Sequence, residues 1–149
     1  MPSTHLSLHY HLVFSTKNRA PVIDTTWRDR LHAYLGGAVR KIGGVAESVG
    51  GTSDHVHLLI GLRATHRLAD VLEDIKSASS LWVHQEIGTK EFWWQEGYGA
   101  FTVSSSQLEK VKAYIEHQEE HHRRKSFEEE YKALLRAHHI DFDEAHLWS

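Results

Sequence analysis

Apolar residues recur along this chain in two rhythms. Leu6 to Ser15 and His55 to Ile60 are short apolar-rich runs bounded by polar or glycine turn signals, as in Gly50-Gly51 and Gly61, and they predict strands. Val45 to Val49 and Ala100 to Val103 repeat the pattern. Between them, Leu31, Tyr34, Leu35 and Val39 fall at helical intervals in a segment from Trp27 to Ile42 that Gly43-Gly44 stops. Leu68, Val71, Leu72, Ile75 and Trp82 mark a second helix, with Gly88 placed to end it. The order strand, helix, strand, strand, helix, strand predicts an α+β, ferredoxin-like (RRM-like) split β-α-β-β-α-β unit with an antiparallel sheet.

Two more helices follow. Ser106 with Glu109 three residues on reads as a capping box for a helix carrying Leu108, Val111 and Ile115. Ser126 with Glu129 begins another, whose Phe127, Tyr131, Leu134 and Leu135 form an apolar stripe that must dock on the body or on a partner. A length of 149 residues suits one domain over 1–149, with a core of about 5–122 and a C-terminal helical extension of about 126–149. The composition, 40% hydrophobic and 25% charged, is that of a soluble globular protein. There is no cysteine, which excludes a disulfide framework and a thiolate zinc site, so any metal must be held by histidine and oxygen. No run approaches the roughly 20 apolar residues of a membrane helix, and no secretory leader is evident; the expectation is a cytoplasmic protein without a membrane partner.

Candidate chemistry concentrates at two places. Side chains on a strand alternate, so His55 and His57 project together while Val56 and Leu58 face the other way. Two imidazoles on one face can hold a metal. The pattern alone is weak, because fourteen histidines give about one His-x-His by chance, and a second stands at His9-Tyr10-His11. In the third helix, Tyr114 and Gln118 lie four apart and share a face, offering a phenol beside an amide oxygen. Tyr10, Tyr34, Tyr98 and Tyr131 have no Gln at that spacing; Tyr98, between Gly97 and Gly99, is the rival nucleophile.

A strand supplying His-x-His and a helix supplying Tyr-x-x-x-Gln resembles the single-tyrosine HUH transposase family. Three further stretches carry the resemblance. Tyr10 to Arg19 is similar to the family's opening strand, with Asn18 departing from its usual Lys-Tyr-Arg ending; Ser53 to Ile60 is similar to its metal-binding strand; and Phe92 to Val103, with Trp94-Gln95-Glu96-Gly97-Tyr98, is similar to the lead into its last strand. The resemblance covers roughly residues 5 to 122. It implies that His55, His57 and Gln118 hold a divalent cation, Mg²⁺ or Mn²⁺, and that Tyr114 attacks single-stranded DNA at hairpin-flanked sites. The product it implies is a 5′-phosphotyrosine link with a free 3′ hydroxyl, which lets the strand be rejoined elsewhere without ATP. It also implies a homodimer in which the tyrosine helix of one subunit serves the histidine pair of the other.

Net charge opposes this expectation, since −3 is the wrong sign for a protein that binds phosphates. Its distribution eases the conflict. Residues 1–63 hold seven Lys and Arg against four Asp and Glu, a charge of +3, whereas 64–149 hold ten against sixteen, or −6. Glu128, Glu129 and Glu130, with Asp141, Asp143 and Glu144, are expected to face solvent in the extension. Lys17, Arg19, Arg40 and Lys41 then become the candidate DNA contacts. Competing readings exist. His117, Glu120 and His121 satisfy the H-x-x-E-H pattern of inverted zinc metallopeptidases. Ferredoxin-like sheets also bind single-stranded nucleic acid without catalysis, although the expected aromatic-rich Gly-Phe strand is missing. A domesticated relative would keep the fold and lose the chemistry; here the histidine pair, Tyr114 and Gln118 are all present.

Overall fold

The computed structural model describes residues 3–149, so the first two residues of the expected 1–149 unit lie outside the described residues. Four strands, β1 (His9–Ser15), β2 (Val45–Gly51), β3 (His55–Gly61) and β4 (Gly99–Val103), form one antiparallel sheet in the order β2-β3-β1-β4. This is the split ferredoxin-like order expected from the sequence. β3 is buried at all seven positions, which explains its nearly unbroken apolar run.

Each face of the sheet has its own cover. Leu12, Phe14, Val56, Leu58 and Ile60 point to one side and pack against Leu31, Leu35 and Val39 of α1 (Thr25–Lys41) and Val71, Leu72 and Ile75 of α2 (Leu68–Trp82). Asp24 caps α1 by accepting the Thr26 N–H at 2.9 Å. After α2 the chain winds through a wider turn, Val83–Ile87, and Gly88 ends it at φ 87°, as its position predicts. The opposite face carries Val13, Leu59, Phe101 and Val103 together with His11, His55 and His57. It is covered by α3 (Leu108–Glu116), α4 (Gln118–His121) and α5 (Phe127–Ala137). That cover removes the open aromatic sheet face on which a ferredoxin-like RNA-binding module would stack bases.

Three local expectations need correction. Ser106 does not cap α3: a single 3₁₀ turn, Ser105–Gln107, precedes the helix, Gln107 takes the cap position without a side-chain bond, and the Ser106 hydroxyl pairs with Ser104 at 3.1 Å. The tyrosine helix does not run on through Gln118 but breaks at His117, where φ is −107° and ψ 29°. There the His117 ring donates to the Ala113 carbonyl at 2.6 Å, competing with its own backbone N–H for that acceptor. Glu130 does not face solvent. It lies three residues after Phe127, on the buried side of α5 with Tyr131 and Leu135, and is 2% exposed. The capping box at Ser126 and Glu129 is present, with the Glu129 N–H donating to Ser126 Oγ at 3.2 Å.

Close approach of α3 to the sheet depends on Gly50. A Cβ there would lie 2.2 Å from the Ile115 carbonyl oxygen, so only glycine allows the tyrosine helix to rest on β2. Gly50→Ala is therefore expected to cost about 2 kcal/mol in urea unfolding. Gly37→Ala, whose methyl would meet only the Arg40 tip at 3.8 Å, should instead stabilise helix α1 by up to about 1 kcal/mol. Equal effects at the two sites would show that α3 does not pack on Gly50.

Candidate active site

Residues with the right chemistry meet where β3 passes beneath α3, α4 and α5. His55 and His57 are fully buried. The His55 ring donates through Nδ1 to Asp54 Oδ1 at 2.8 Å, which aims its Nε2 at Gln118 Oε1, 3.0 Å away. His57 is held from β1, where His11 Nε2 lies 2.7 Å from its Nδ1, and its Nε2 donates to Glu130 Oε1 at 2.9 Å. His122, just beyond α4, brings Nε2 to 3.2 Å from the same oxygen and 3.0 Å from Gln118 Oε1.

The second oxygen of Glu130 faces the phenol. Tyr114 donates its hydroxyl to Glu130 Oε2, and the Gln118 amide donates to it at 3.2 Å. His121 Nε2 lies 3.3 Å from this oxygen but off any hydrogen-bonding direction, a buried ring nitrogen without a partner. One carboxylate thus divides the site, Oε1 toward the imidazoles and Oε2 toward the tyrosine. α3 lies on β2 and β3, brought close by Gly50.

Electrostatics follow from burial. Burial lowers His57 to about 4, against the raising influence of Glu130, and lowers His11 to about 3 with help from His57. Burial would raise the Glu130 carboxyl, but hydrogen bonds from His122, His57 and Tyr114 outweigh it and hold the group well below the usual carboxylate range. Burial would lower His122; its bond to Glu130 and that group's charge raise it instead. The Tyr114 phenol is pushed up by burial and then by the Glu130 charge, so the charged carboxylate keeps the hydroxyl protonated.

His55, His57, His122 and Glu130 each offer a ligand atom, all within 4.8 Å of one another, a donor set that fits a divalent cation. A metal needs neutral imidazoles with fixed rings. Burial supplies the first for His57, and Asp54 and His11 supply the second. Of the residues expected from sequence, His55, His57, Gln118 and Tyr114 come together. His11, His122 and Glu130 join them without having been expected. His122 stands four residues after Gln118 and Glu130 three after Phe127, spacings that carry a signal only once the packing of α4 and α5 is known.

Other candidates lie elsewhere. Tyr98 lines a groove with Leu72, Lys76 and Leu81 of α2, on the other side of the sheet. His117 and Glu120 are exposed and line a surface pocket with His121, apart from the buried cluster of His55, His57, His122 and Glu130. Lys17 and Arg19 follow β1 at the His55 end of the sheet, where the Thr16 N–H donates to the Asp54 carbonyl. Arg40 and Lys41 close α1 at the opposite end, where Arg40 lies near His9 and Gly61. Arg19 is engaged, over the Trp148 ring at 4.8 Å and 3.8 Å from Glu128.

The family model described as transposase, IS200-like, matches residues 4–118. Among solved structures, the chain is similar to a candidate transposase from Deinococcus radiodurans R1, at 25% identity and a TM-score of 0.62 over 79% of this chain and 96% of that one. It shares its fold with a REP-associated tyrosine transposase solved bound to a REP hairpin, at 15% identity and a TM-score of 0.56 over 78% of this chain and 72% of that one. No curated protein is significantly similar. Among the described residues no helix is long and apolar enough to cross a membrane.

The buried histidines set a pH dependence. His11 and His57 take up protons near 6.5 when unfolded but only near 3 and 4 when folded. Their folded values are depressed, so the unfolded chain binds more protons below pH 6.5 and stability falls as pH falls. His122, raised in the fold, contributes a slope of the opposite sign that lies mainly above pH 6.5 and fades below it. Denaturant unfolding of the metal-free protein is expected to lose up to about 1.4 kcal/mol per pH unit for each histidine between pH 6.5 and 5, with a smaller slope in His57→Gln. A stability unchanged over that interval would contradict the burial of neutral imidazoles.

Proposed function

Because the chain belongs to the IS200-like transposase family, we propose that it cleaves and rejoins single-stranded DNA at hairpin-flanked sites, with Tyr114 as the nucleophile. The observation that carries this is the convergence of Tyr114 and the His55–His57 pair on one buried carboxylate. The phenol oxygen forms a bond to phosphorus as the bond from phosphorus to the 3′ oxygen breaks. The departing 3′ oxygen takes a proton and leaves a free hydroxyl, and the 5′ phosphate stays on Tyr114. Glu130 Oε2 already accepts the Tyr114 hydroxyl and so aims the phenol oxygen; held well below the usual carboxylate range, it passes the phenol proton on to water instead of keeping it. Gln118 holds the carboxylate in position from the same side.

His55, His57, His122 and Glu130 are the proposed ligands of the divalent cation, with Gln118 beside them. The cation, when bound, supplies charge that neutralises the phosphate oxygens and offsets the Glu130 charge that disfavours a phenolate. Three imidazoles and one carboxylate suit Mn²⁺ better than Mg²⁺, which prefers oxygen ligands. The proposed functional unit joins the core of about 5–122 to the extension of about 126–149, because the extension supplies Glu130. Lys17 and Arg19, at the His55 end, are the favoured strand contacts; Arg40 and Lys41 would meet DNA only at the far end of the sheet. A homodimer of such chains would carry two complete sites.

Incubated with Mn²⁺ and single-stranded hairpin DNA from its own locus, the protein is expected to form a covalent adduct that survives denaturing electrophoresis. Tyr114→Phe and EDTA should each abolish it. An adduct that persists in Tyr114→Phe and disappears in Tyr98→Phe would move the nucleophile.

Mixing tests how the site is built. With an in-chain site, co-expressed Tyr114→Phe and His57→Ala subunits should stay inactive even where native mass spectrometry detects heterodimers. Recovery of activity toward half of wild type would instead support a site shared between subunits.

A further inference from the structure

On the β4 side of Tyr114, α3 and α5 stand apart and enclose a cleft of about 650 Å³, a size typical of small-molecule sites. Its walls are mostly apolar, with Val111 on α3, Leu134 and Ala137 on α5, and Phe101 on the sheet. The His138 ring stacks on Phe101 with centroids 4.5 Å apart. Ser104 and Gln107 add hydrogen-bonding groups, and the Gln107 side chain is not used to cap its own helix. Lys110 and Lys125 also line the cleft. Among the described residues neither takes part in an ion pair, although acids outnumber bases in the chain.

We propose that this cleft takes one unpaired nucleobase of the DNA strand whose phosphate faces Tyr114, with the flanking phosphates held by Lys110 and Lys125. A base needs apolar surface for its two faces and a few hydrogen-bonding groups for its edge, and the cleft offers both. Two cations without protein partners match the phosphates on either side of that base. Position agrees as well, because Tyr114 and Glu130 form part of the cleft wall, and the base nearest the reacting phosphate is the one that reaches it. The cleft would then choose among bases at the cleavage position, giving the protein a direct part in sequence selection.

The placement of the base rests on Tyr114 being the nucleophile, but base binding itself can be measured without cleavage. The probes are the four 5′-deoxynucleoside monophosphates and, as a baseless control, 2-deoxyribose 5-phosphate, titrated into the full chain with amide shifts followed by NMR. Nucleotides should shift Val111, Leu134 and Ala137, and the baseless control should bind at least roughly tenfold more weakly. Ala137→Trp, and the milder Ala133→Leu, should fill the cleft and weaken nucleotide binding while the remaining amide spectrum stays folded. Lys110→Ala combined with Lys125→Ala should weaken nucleotide and sugar phosphate alike. Equal affinity for the baseless control, or nucleotide binding unchanged in both filled variants, would overturn the proposal. An adduct at Tyr114 without base binding would remove the cleft alone, and base binding without an adduct would remove the nucleophile alone.

Discussion

A carboxylate taken out of water must be given hydrogen-bond donors, and around Glu130 that requirement organises the site. The group is almost wholly buried, and it is satisfied by His57 from β3, Tyr114 from α3, Gln118 from α4 and His122 from the segment after it. Four separately positioned side chains are tied to one residue of α5. Removing any of them leaves a charge short of a donor, and removing Glu130 leaves buried imidazoles facing each other. The cluster therefore resists piecemeal change and fixes the phenol against the histidine pair.

The sheet divides the labour. One face, packed on α1 and α2, is an apolar core of Leu, Ile, Val and Phe that holds the fold. The other face gives up part of that packing to place His11, His55 and His57 in the interior, where burial keeps His11 and His57 neutral. Closing this second face is the task of α3, α4 and α5. Phe127, Tyr131 and Leu135 dock on Val13 and Phe101, and that apolar contact brings Glu130 to its place. The family match ends at residue 118, yet His122 and Glu130 lie beyond it. The helical extension is thus a structural part of the site and more than an acidic tail.

Strands and helices were legible because apolar spacing reports them directly. His55 and His57 were legible because a two-residue period survives in any sheet, and Tyr114 with Gln118 because a four-residue spacing keeps two side chains on one side even across the break at His117. What escaped was long-range. His11 looks like a chance His-x-His until antiparallel pairing sets Val13 opposite His57 and brings His11 alongside. Glu130 reads as one of three solvated acids until the stripe of α5 is turned inward. The helix break at His117, where the ring bonds back to the Ala113 carbonyl, is likewise something no periodicity reveals.

The central claim is that Glu130, from the extension, completes a metal site built on the histidine pair. Isothermal titration of Mn²⁺ into the wild-type chain and into Glu130→Gln, which keeps the side chain's shape and removes its charge, measures this without DNA or cleavage. The account predicts a single site in the wild type and at least about a tenfold loss of affinity in the variant, with the helical circular dichroism unchanged. Equal affinity in a folded Glu130→Gln protein would contradict it.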